Sequence, residues 1–133
     1  PFSRYETLIH PNVCVNPSVV MGDGVVIFPG SVIGPDTKID DLVQIVSNVV
    51  IGVSNHVKEG AMVSSGCVSS LGVEIGAYSH IGSGCVIGDY STIGSGAQVG
   101  IGSVVLGEVG RGEFVMGNPL CVLKRDSVPV GFP

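Results

Sequence analysis

The stretch Ile75-Gly76-Ala77-Tyr78-Ser79-His80, Ile81-Gly82-Ser83-Gly84-Cys85-Val86, Ile87-Gly88-Asp89-Tyr90-Ser91-Thr92 repeats one hexad three times. Each hexad holds an isoleucine, a glycine, two variable residues, a small residue and one more. Stepping by six from Ile75 towards the N-terminus meets Ser69, Val63, Val57, Ile51, Ile45, Ile39, Ile33, Ile27, Met21, Val15 and Ile9. The other direction gives Ile81, Ile87, Ile93, Val99 and Val105, so sixteen of seventeen sites are aliphatic or Met, without an insertion. A helix repeats every 3.6 residues and a plain strand every 2, so a strict period of six demands its own geometry. A parallel β-helix supplies it: short strand, corner, short strand, with three sides to a coil.

Strand side chains alternate, so the site two before each aliphatic residue also points inward. These sites include Ser31, Thr37, Val43, Asn55, Ala61, Cys67, Val73, Ser79 and Cys85, mostly small, as a narrow interior demands. The residues between point outward, and many are apolar: Val32, Val50, Met62, Val68, Val86 and Val104. Glycines just after the aliphatic site, such as Gly52, Gly76 and Gly82, read as corners. Corner glycines serve either a positive φ or the close approach of a neighbouring coil. The β-helix is expected over residues 7–106, in about five and a half coils. Residues 1–10 form a lead-in segment. Residues 107–133 form a C-terminal cap with the turn Met116-Gly117-Asn118-Pro119 and an apolar stretch closed by Lys124 and Arg125.

With 133 residues the chain is one domain's worth. At 44% hydrophobic and 13% charged residues it has core to spare and little solvating charge, which points to buried subunit contacts. A net charge of -5 argues against a nucleic-acid partner, since phosphates require a basic face. No apolar run reaches the ~18 residues of a membrane-spanning helix, and no signal-peptide pattern is visible. Cys14, Cys67, Cys85 and Cys121 lack metal-ligand spacing. Cys67 and Cys85 stack in adjacent coils, at a strand spacing of about 4.8 Å against the ~3.8 Å Cβ separation of a disulfide. They are read as reduced, consistent with the cytoplasm.

The Ile-Gly-x-x-small-x hexads of Ile75–Thr92 resemble those of the hexapeptide-repeat acyltransferases. More narrowly, Leu8-Ile9-His10-Pro11, Phe28-Pro29-Gly30-Ser31-Val32-Ile33-Gly34 and Val115-Met116-Gly117-Asn118-Pro119 look like one subfamily. It contains the sialic acid O-acetyltransferases and the N-acetyltransferases of nucleotide-linked amino sugars. The resemblance implies a left-handed parallel β-helix, a homotrimer, acetyl-CoA as co-substrate and a sugar or nucleotide-sugar acceptor. It also implies that the chain matches the C-terminal domain alone, without the nucleotide-fold domain that binds the sugar nucleotide in such proteins.

The family's acetyl-transfer motif departs here. Its general-base His and the carboxylate beside it fall on the triplet Gly52, Val53 and Ser54, and a second His that contacts the donor falls on Met62. His56, three residues after the expected base, is the candidate in its place. Glu74, eighteen residues on, is expected beside it in the neighbouring coil, where a carboxylate would fix the imidazole. The competing reading is a surface pair at a subunit contact. His80 shares the column of Met62 and faces either the donor's thioester or a partner subunit, while His10 reads as structural. Asn55 and Ser69 are inward polar residues that need buried partners. The resemblance places the pantetheine arm of acetyl-CoA along Gly82, Ser83, Gly100, Ile101 and Gly102, with Met62 and His80 nearby.

Two functions compete: acetyl-CoA-dependent O- or N-acetylation of a sugar, and a catalytically silent trimerisation scaffold suggested by the loss of both family histidines. No metal site is expected, because His56 and His80 are 24 residues apart and off-column.

Overall fold

Every aliphatic site of the repeat ends a two-residue strand, from Leu8–Ile9 to Val104–Val105, at a spacing of six. The computed structural model describes residues 5–123; residues 1–4 and 124–133, with Lys124 and Arg125, lie outside the described residues. Each strand pairs in parallel with the strand eighteen residues away, as in Met62↔His80, Val68↔Val86 and Glu74↔His56. The pairing builds three sheets of eight, six and six strands, the three sides of a hexapeptide β-helix, with no helix among the described residues.

The interior is two columns of side chains. Ile27, Ile33, Ile39, Ile45, Ile51, Ile75, Ile81 and Ile87 are fully buried, each worth about 1.5–3 kcal/mol relative to exposure. The polar inward residues all find partners: Ser31 Oγ donates to Val46 O at 2.7 Å and Thr37 Oγ1 to Gly52 O at 2.9 Å. Ser69, the one polar member of the aliphatic column, donates to Asn55 Oδ1 at 2.6 Å. Among the described residues no buried side-chain nitrogen or oxygen is left unpaired.

The corners resolve the two roles left open for glycine. The residue just after the strand is glycine for close approach: a Cβ on Gly52 would lie 2.5 Å from Ser70 O. Positive φ belongs to a different column, two residues later and every six residues from 24 to 102. Eight of those positions are glycine and six are Asp36, Leu42, Asn48, Ser54, Tyr78 and Tyr90. The tyrosines offset an unfavourable backbone by laying their rings against Gly60 and Gly72 of the preceding coil.

The parallel ladder runs beyond the boundary at residue 106 expected from the hexads. After Val105 the spacing shortens once, with strands at Glu108–Val109 and Phe114–Met116 that continue the ladder through Thr92↔Glu108 and Gln98↔Phe114. Cys121–Val122 then folds back antiparallel on Phe114–Met116 and covers that edge.

The three outward faces differ in chemistry. The valine face presents Cys14, Val32, Val50, Val68, Val86 and Val104. The charged face presents Val20, Lys38, His56, Glu74, Thr92 and Glu108. The third, mixed face presents Leu8, Val26, Gln44, Met62, His80, Gln98 and Phe114.

Candidate functional site

Val57 is buried, so its neighbour His56 points out onto the charged face, half-buried between Lys38 and Glu74. The ladder therefore places Glu74 where expected. The ring's hydrogen bond goes elsewhere: His56 Nε2 is 3.0 Å from Asp40 Oδ2. Asp40 lies two residues past Lys38 on the same side of its strand and also faces Lys38 Nζ at 3.8 Å. Glu74 was thus not the only carboxylate that the coil places beside His56. The signal was a diagonal spacing of sixteen, one coil less one strand repeat of two.

Two clefts flank the imidazole along this face. One, of about 330 Å³, is lined by Lys38, Asp40, Asp41 and Glu59 among others. The other, of about 260 Å³, is lined by Lys58, Glu74, Thr92, Glu108 and Arg111 among others. Lys38, Lys58 and Arg111 are all the lysines and arginines among the described residues. The cationic side chains therefore collect on or beside the face that carries His56, which the sequence reading did not single out.

The corner 52–54, where the resembled family holds its base, carries no imidazole or carboxylate. Val53 is exposed and Ser54 has a φ of 55°. Beneath it, Asn55 Nδ2 donates to Val53 O at 2.9 Å and to Ser70 O at 2.7 Å. With Ser69 on its Oδ1, the Asn55 amide is engaged at both ends. These two inward polar residues hold the corner's shape and present nothing to a ligand.

On the mixed face Met62 and His80 are register partners, and His80 Nε2 lies 3.4 Å from Ser64 Oγ. Beyond them the expected donor residues meet at one corner of adjacent coils. Gly82 N donates to Val99 O at 2.7 Å and Gly102 N to Ser83 O at 2.8 Å. A Cβ on Gly82 would come within 2.7 Å of Ile101 N, while Ser83, Ile101 and Gly102 are exposed. Gly82, Ser83, Gly100, Ile101 and Gly102 are thus brought together. His56 and Glu74 are not with them: the corner separates the mixed face from the valine face, on the far side from the charged face. Within one chain, the candidate base and the corner expected to hold the donor do not meet.

The four cysteines are free. Cys67 and Cys85 are buried, and their thiols donate to Gly82 O and Gly100 O, each at 3.0 Å. The neighbouring Cys85 thiol, followed by burial, pushes the Cys67 thiol above its ordinary range. No group of three or more His, Cys, Asp or Glu among the described residues is arranged to hold a metal ion.

A family model described as bacterial transferase hexapeptide (six repeats) matches residues 72–101. No curated protein matches the chain. Solved structures do. PerB from Caulobacter crescentus, in complex with CoA and GDP-perosamine, is 27% identical with a TM-score of 0.90 over 91% of this chain and 58% of that one. The acetyltransferase domain of PglB from Neisseria gonorrhoeae FA1090 is 29% identical, with a TM-score of 0.89 over 90% of this chain and 58% of that one. WeeI from Acinetobacter baumannii AYE is 25% identical, with a TM-score of 0.82 over 85% and 56%. The chain spans less than two thirds of the length of each of these proteins. The resemblance to the hexapeptide-repeat acyltransferases read from the hexads is borne out, over a domain of partial length.

Proposed function

We propose that this chain is the acetyl-transfer domain of an enzyme that moves an acetyl group from acetyl-CoA to an amine or hydroxyl of a sugar or nucleotide sugar. One observation carries the reading. Nine tenths of the chain superimposes, at a TM-score of 0.90, on a protein solved with both CoA and GDP-perosamine. In the reaction the acceptor's nitrogen or oxygen attacks the thioester carbonyl, the carbon–sulfur bond breaks, and CoA leaves as the thiol. The acceptor loses one proton, and His56 is the group assigned to take it and return it to the departing CoA sulfur. The N–H groups of Gly82, Gly100 and Gly102 are spent on Val99 O, Val115 O and Ser83 O, so the backbone N–H groups of Ser83 and Ile101 at the same corner would hold the carbonyl oxygen as charge develops on it.

The donor corner and His56 lie on different sides of the prism, so a complete site needs a second copy. The same reading makes the protein a homotrimer in which each donor corner is completed by its neighbour. Four free thiols fit a reducing compartment such as the cytoplasm. No described helix is long and apolar enough to cross a membrane.

A second reading, a silent trimerisation scaffold, draws on Val53 and Met62 at the positions of the family histidines. Calorimetry with acetyl-CoA separates the two. A scaffold has no reason to keep the donor groove, so saturable binding is expected of the enzyme, and its absence supports the scaffold.

A further inference from the structure

We propose that Asp40 is the positioning residue for His56, holding its imidazole as the Nε2–H tautomer and leaving Nδ1 as the nitrogen that accepts the proton. The inference rests on the assignment of His56 as the base and names the group that orients it. A neutral imidazole has one donor and one acceptor nitrogen, and a carboxylate only accepts. With Nε2 at 3.0 Å from Asp40 Oδ2, the ring proton belongs on Nε2. The lone pair then lies on Nδ1, away from Asp40.

Both partners are fixed from behind. Asp40 N donates to Val57 O and His56 N to Val73 O, each at 2.9 Å, so the two backbones are locked in adjacent rungs. Lys38 Nζ, 3.8 Å from Asp40 Oδ1, engages the other carboxylate oxygen and leaves Oδ2 for the ring. Glu74 is the rung partner on the opposite side of His56. It flanks the ring across the ladder, whereas Asp40 meets it along the strand direction in which strand side chains lean.

The chain has three histidines, so the tautomer is directly readable in protein carrying ¹⁵N-labelled histidine. Long-range ¹H–¹⁵N correlation at a pH where His56 is neutral should show Nε2 protonated and Nδ1 bare, with His56→Gln identifying the signals. Asp40→Asn replaces an obligate acceptor by an amide that also donates, so both tautomers should appear; Glu74→Gln should leave the pattern unchanged. A protonated Nδ1 in the unaltered protein, or a pattern indifferent to Asp40→Asn, overturns the proposal. In transfer assays on the full-length protein, Asp40→Asn should lower kcat at least about tenfold with KM little changed, because the base is misoriented and the substrates are not. Should His56→Ala retain full transfer, the base assignment falls and takes the role of Asp40 with it. Should His56→Ala be inactive while the tautomer ignores Asp40→Asn, the role of Asp40 alone falls.

Discussion

His56 shows what a column-by-column reading reaches and where it stops. The eighteen-residue coil places His56 and Glu74 on adjacent rungs, and the structure agrees. Asp40 escaped because its contact is diagonal, and only side-chain lean within the strand chooses between rung and diagonal. His56→Ala should reduce transfer by at least about 10²-fold, the lower end for loss of a general base, with Glu74→Gln costing less. Steady-state kinetics on the full-length protein with a panel of sugar-nucleotide acceptors tests this. Unchanged activity in His56→Ala together with loss in His80→Ala moves the role to His80. The thiols offer an independent check at the same scale. Cys67 and Cys85 are buried, so a thiol reagent should reach them only on unfolding, whereas exposed Cys121 reacts in the native protein.

At the scale of strands and corners, most of the architecture was legible because one side-chain rule recurs in every hexad. Both inward columns are buried from Val25 to Val105, whereas at the N-terminal end Ile9 is exposed and Val13, Val15, Val19 and Met21 are only half-buried, with one side of the first coil left uncovered. The division of labour between two corner columns was not legible, since a glycine that clears a neighbour and one that adopts positive φ are the same letter. Nor was the shortened step after Val105, although Val109 and Val115 resume the spacing of six once the count restarts. The Asn55 network makes the corner before His56 a measurable unit. Asn55→Ala removes the donor to the part-buried Ser70 O and the acceptor for the buried Ser69 hydroxyl, while Val53 O keeps its bond from Gly72 N. It should destabilise the fold by at least about 1–3 kcal/mol in chemical denaturation. The Asp89 corner gives a pH signature. The Ser70 hydroxyl, then the Leu71 N–H, hold the Asp89 carboxyl below its usual range. The folded-state pKa is depressed, so the contribution of this contact is present above the ordinary carboxylate pKa and lost as pH falls through the depressed value. The Asp89 carboxyl should titrate by carbon NMR below the ordinary aspartate range, and Ser70→Ala should move it back up.

For the whole molecule, the decisive property is that the three faces are chemically unequal. Val32, Val50, Val68 and Val86 form an unbroken apolar ladder, each about two fifths exposed. The corner that follows it adds exposed Val53, Leu71 and Leu106. Finishing the burial of four such valines is worth only about 2–4 kcal/mol per chain. The association cost is about 4–15 kcal/mol, so the ladder needs these corner residues as well. A closed three-fold ring helps, because each chain then makes two contacts and no apolar edge is left over. Sedimentation at micromolar concentration should give three times the chain mass. Val68→Lys places an ammonium mid-ladder and should yield monomer that keeps its β-sheet circular dichroism. Because the donor corner borders the valine face, the Val68→Lys monomer should also lose acetyl-CoA binding in calorimetry. A monomeric parent protein would refute the assembly. A trimeric Val68→Lys would move the contact to another face, and a monomer with undiminished acetyl-CoA affinity would show that the donor site is complete within one chain.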